Sequence, residues 1–84
     1  MRKKEHECKY RYYLYDLGFL LKEDALEAKR EREAAKGSEA YEFHNGRVMA
    51  YYEVITLMQQ QAEGFDIPLE ELRLEDVDPD RDLI

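Results

Sequence analysis

The chain has 84 residues, a single cysteine and a net charge of −7, which limits it to one domain and rules out an intrachain disulfide. A domain this small buries only about 60% of its unfolded surface, so a metal or association is the usual supplement to its core. The acidic balance is unlike the concentrated basic face of a nucleic-acid binder, and no window approaches the roughly 18 apolar residues of a membrane span.

The charge is unevenly spread. Residues 1–36 hold ten Lys/Arg against eight Asp/Glu, residues 37–65 one against four, and residues 66–84 two against eight, giving +2, −3 and −6. The opening MRKK has the charge of a signal-peptide n-region, but Glu5, Glu7, Arg11 and Asp16 interrupt the next stretch of chain and no apolar h-region forms. With Cys8 as the sole thiol, the expected setting is the reducing cytoplasm.

Residues 1–4 read as a basic tail and residues 5–36 as a helix rich in Ala, Leu and charge, with no proline before Pro68. On a wheel this helix has two apolar stripes. The main stripe carries Tyr10, Tyr13, Leu14, Leu17, Leu20, Leu21, Ala25, Ala28 and Ala35, much of it at the alternating three- and four-residue spacing of a hairpin seam. The second carries Cys8, Tyr12, Tyr15, Phe19 and Leu26.

Two turns compete next. Gly37 suits the residue after a helix end with Ser38 capping the following helix, while Asn45-Gly46 is a common turn pair. The first is preferred, because it yields helices matched in length. It places Gly46 inside a second helix, 38–64, at a cost of about 1 kcal/mol against Ala, with close backbone approach as the expected reason. That helix is apolar over about 180° of its wheel, too wide for one neighbour, and ends at Gly64. Residues 66–84 form an acidic appendage. A short helix is expected from Pro68, carrying Leu69, Leu72, Leu74 and Val77 back over the hairpin, with extended chain beyond Asp78-Pro79.

Signals for chemistry are weak. His6 and Cys8 stand two apart, where helical side chains diverge, and neither His-Glu-x-x-His nor Glu-x-x-His occurs. A zinc site from His6, Cys8 and His44 of different subunits would support a small interface enzyme, but solvent-side histidines and a half-buried thiol explain these residues more simply. Ser38 is the only serine, the four glycines stand far apart, and the paired carboxylates of the tail lie in a polar setting. The seven tyrosines fit a partly wet helix interface better than a base-stacking platform.

The sequence therefore predicts an all-α single domain: an antiparallel two-helix hairpin with a short C-terminal helical turn, pairing as a homodimer into a four-helix bundle. The expected oligomer interface is Tyr12, Tyr15, Phe19, Leu26, Val48, Tyr51, Tyr52, Ile55 and Met58. The expected role is non-enzymatic, a protein-protein interaction or regulatory module with no cofactor, metal, membrane or nucleic acid. It would contact partners through a helix face or the acidic segment. The alternative is an acidic decoy for the basic groove of a nucleic-acid-handling protein.

Overall fold

The computed structural model describes the backbone of residues 2–84 and the side chains of residues 8–84. Among the described residues the protein is all-helical. Helix α1 (Arg2–Ala34) and helix α2 (Tyr41–Gly64) form an antiparallel hairpin, followed by a 3-10 turn (Leu69–Leu72) and a one-turn helix α3 (Pro79–Asp82). Its extents are 56 × 21 × 16 Å, a thin slab one pair of helices wide.

The break falls at Gly37–Ser38, and Asn45-Gly46 lies within α2. Gly37 takes φ +84, a backbone state open to glycine at no steric cost. Ser38 acts differently from a cap. Its backbone N–H and its hydroxyl both donate to the Ala35 carbonyl, at 2.9 and 2.8 Å, while its Oγ accepts from Ala40 N–H at 3.2 Å. Ser38 thus braces the turn, and α2 starts three residues later with Ala40 at its uncapped N-terminus. Gly46 has no neighbour within 4 Å of where a Cβ would sit, so the expected close approach is absent there. Helix α2 ends at Gly64 as expected, but the left-handed residue is Asp66 (φ 57). It lets Ile67 N–H reach back to the Ala62 carbonyl at 2.8 Å in the manner of a Schellman cap.

On α1 the hairpin seam is built from small side chains. Ala25 and Ala28 are fully buried in one core with Val48, Ile55 and Ala62 of α2. Near the loop, Arg32 donates to Asn45 Oδ1 at 3.0 Å and Arg47 pairs with Glu31.

One flank of this pair is roofed by the appendage, which supplies Leu72, Leu74, Val77 and Leu83 to the same core. Fully burying each such aliphatic side chain is worth about 1.5–3 kcal/mol. The segment after Pro79 is helical, correcting the expected extended chain. Asp78 caps α3 by accepting from Asp80 and Arg81 N–H, and Pro79 fills the first helical position. This turn drives Leu83 to zero exposure and leaves Ile84 62% exposed.

Candidate interaction surface

The residues that attach the appendage define one side of the molecule. The 3-10 turn crosses α1 at Gly18, where a Cβ would overlap the carbonyl of Leu72. One turn along, the buried Lys22 donates to Asp76 at 2.8 Å. Arg73 adopts φ 56, and its guanidinium lies 4.6 Å from the Phe19 ring centroid and 5.0 Å from that of Tyr15, within cation–π range. On α2, Gln59 Nε2 donates to the carbonyls of Leu74 and Val77 at 3.1 and 2.9 Å. Tyr52 donates to Asp80 at 2.6 Å.

These contacts set the local ionisation. The ammonium of Lys22 holds the Asp76 carboxyl below the usual range. Asp82 is lowered to about 2 by the Arg81 guanidinium and the Asp78 N–H. Donation to Asp80 pushes the Tyr52 phenol up. Much of the appendage's acidity is therefore engaged inside the chain, as ion pairs, a helix cap and a phenol acceptor.

The residues expected at an oligomer interface fall mainly on this roofed side or in the core. Val48 and Ile55 have zero exposure. Leu26, Tyr51, Tyr52 and Met58 pack against the core, half-buried. Phe19 lies half-buried beneath Arg73, and Tyr15 shares that guanidinium while 43% exposed. Tyr12 is 70% exposed. It borders a hollow of about 370 Å³ with Cys8, Arg11 and Glu71, which the 3.9 Å Arg11–Glu71 ion pair partly closes.

The opposite side is bare. Leu20 and Leu57 are 49% and 59% exposed, Phe65 71%, and Tyr13, Leu14 and Val54 are exposed with them. Leu14, Leu57 and Phe65 line a hollow of about 260 Å³ whose walls are almost wholly apolar and whose edge is completed by Ile67 and Leu72 of the appendage. Tyr10, Tyr13, Leu17 and Leu20 keep alternating three- and four-residue spacing along α1, as do Ala50, Val54 and Leu57 along α2, the pattern of helices that pack against further helices. The wheel identifies this α1 stripe but assigns it to the intramolecular seam. Within the protomer only its Ala25 and Ala28 end is buried.

Among the described residues no three His, Cys, Asp or Glu side chains converge to hold an ion. Cys8 lies about 35 Å along α1 from the level of Glu31, whose carboxylate stands 4.0 Å from His44 Nδ1. The third residue of that trio, His6, has a side chain outside those described. Among the described residues, no helix is long and apolar enough to cross a membrane. The chain matches no protein-family model, no curated protein and no solved structure in comparisons with all three.

Proposed function

We propose that this protein is a non-enzymatic protein–protein interaction module that works as a homodimer, two hairpins closing their bare faces into a four-helix bundle. The observation that supports this reading is the asymmetry of the slab. One flank is roofed by the chain's own appendage, while the other presents aliphatic and aromatic side chains at bundle spacing. A contiguous apolar patch of this kind on a small protein marks an interaction surface. The reading replaces the expected Tyr51/Ile55 flank with the Leu20/Leu57 flank as the contact. It assigns the fold a regulatory or scaffolding role, and the lone thiol of Cys8 fits a cytoplasmic setting.

Light scattering coupled to size exclusion tests it, over a range of protein and salt concentrations. The expected result is twice the 10.1 kDa chain mass, insensitive to ionic strength because the contact is apolar. A folded monomer at every concentration would refute the homodimer. The decoy reading predicts instead a monomer whose binding to basic proteins weakens steeply with salt.

A further inference from the structure

We infer that the appendage is exchangeable: residues 69–83 of one copy seat in the same groove of a second copy, each chain roofing the other's hairpin. The structure names the occupant, because this segment is what the groove already holds. The buried Lys22 meets Asp76 at 2.8 Å, Arg11 faces Glu71 at 3.9 Å, and Gln59 donates to the carbonyls of Leu74 and Val77. Behind these ties Leu72, Leu74, Val77 and Leu83 complete the core, and Gly18 leaves room for the Leu72 carbonyl. All of these contacts fall after the connection at residues 65–68, so an identical segment from another chain makes them unchanged. The exchange uses the roofed flank and stands apart from the homodimer proposed through the bare face.

The connection supplies the hinge. It turns on Asp66 at φ 57, a left-handed state that residues other than glycine enter at a cost. In the closed turn Asp66 N–H donates to the Glu63 carbonyl and Ile67 N–H to that of Ala62. Rotating Asp66 to right-handed helix swaps these partners and loses neither bond, since helical pairing joins Asp66 to Ala62 and Ile67 to Glu63. Helix α2 then runs two residues longer, to Asp66, and stops before Pro68. Straightening there lifts residues 69–83 off their own groove and uncovers the core, which the same segment of a second copy restores. A short hinge under strain invites such exchange, because the swapped pair keeps the contacts of the closed chain and sheds the strain.

The experiment is zero-length carbodiimide coupling of the full chain. Natural-abundance and nitrogen-15-labelled protein are mixed equally, refolded together from urea at graded concentrations, then coupled. Asp76 is 62% exposed at its side chain and its Oδ1 lies 2.8 Å from Lys22 Nζ, so the pair joins as an amide while the carbodiimide takes up the water. Mass spectrometry then reads whether the linked 22–76 peptides come from one chain or two. Exchange yields pairs of mixed label that increase with concentration, with a covalent band at twice the 10.1 kDa chain mass. Asp66→Gly, which relieves the closed turn, should lower the mixed fraction about fivefold, and Asp66→Ala should raise it. Unmixed pairs alone at every concentration would overturn the inference. So would equal mixed fractions in the two Asp66 variants, or the absence of any 22–76 link. Since the reading is taken beneath the appendage, it is blind to the bare face, and its failure leaves the proposed homodimer standing.

Discussion

The carbonyl oxygen of Leu72 occupies the space that a β-carbon on Gly18 would need. A residue in mid-helix, where glycine is the second-worst choice after proline, is thus the point at which the C-terminal segment meets the hairpin. Gly18→Ala ought to stabilise α1 by about 1 kcal/mol on helix propensity alone. The clash with rigid backbone should reverse the sign and destabilise the protein by about 1–3 kcal/mol. Gly46→Ala is the matched control, since its site is open, and it should stabilise by about 0.5–1 kcal/mol. Urea denaturation of both variants checks the opposed signs, and stabilisation by Gly18→Ala would show that the turn does not dock there.

Ile55 and Leu57 stand two positions apart on α2 and should behave as different kinds of residue. Ile55 has zero exposure, so Ile55→Ala should cost about 2–5 kcal/mol and Ile55→Glu should leave the chain unfolded. Leu57, 59% exposed, should tolerate Glu with its helical circular dichroism retained, while the mass by light scattering falls to that of one chain. Unfolding by Leu57→Glu would place that side chain in the core.

Gln59 carries two of the polar ties between α2 and the appendage. Gln59→Leu keeps similar bulk but strips both carbonyls of their donor. The expected loss is about 1–3 kcal/mol for each carbonyl left buried and unpaired. Amide hydrogen exchange should show protection falling in residues 69–83 before it falls in the seam of α1 and α2. A uniform loss along the chain would mean that the appendage and hairpin unfold as one unit.

Acid should loosen the same segment. Asp76 and Asp82 both have folded pKa values below their ordinary ones, Asp82 at about 2. A depressed carboxylate contributes stability that is complete above its unfolded value, about 3.9, and is lost as the pH falls through the folded value. Stability should therefore be flat from pH 7 to 5 with respect to these groups and decline between about pH 4 and 2. Asp76→Asn should remove part of that slope. A decline that Asp76→Asn and Asp82→Asn together leave unchanged would assign it to other carboxylates.

The hairpin is legible in the sequence because its signals are local. Gly37 marks the turn, Gly64 the end of α2, and Pro68 the start of the segment that folds back. Ser38 reads as a cap although its hydroxyl serves the turn, since both roles use the same short side chain. The docking of the appendage is harder to foresee. It depends on left-handed backbone at Asp66 and Arg73, neither a glycine, and on an approach to Gly18 that involves a main-chain oxygen and leaves no side-chain pattern. Asp78-Pro79 does carry a readable signal, a cap residue followed by proline at the first helical position, but a single turn gives no periodicity to support it. Wheels order residues into faces without saying which neighbour takes each face. For that reason the wheel turns the Leu17/Leu20 stripe inward and the Tyr15/Phe19 stripe outward, whereas the fold leaves the first bare and roofs the second with Arg73.

The appendage grips both helices at once, through Gly18 and Lys22 on one and Tyr52 and Gln59 on the other. Two helices packed along one narrow seam can slide and roll past each other. A strap fastened to both removes those freedoms from the far side and reaches the bare face only where Ile67 and Leu72 edge its hollow. On the proposed homodimer reading, the leucines of the bare face are held at fixed spacing before contact, so association would forfeit little conformational entropy. On that reading the clasp on the back would tune affinity at the front, and substitutions that loosen it should weaken association mainly through that entropy.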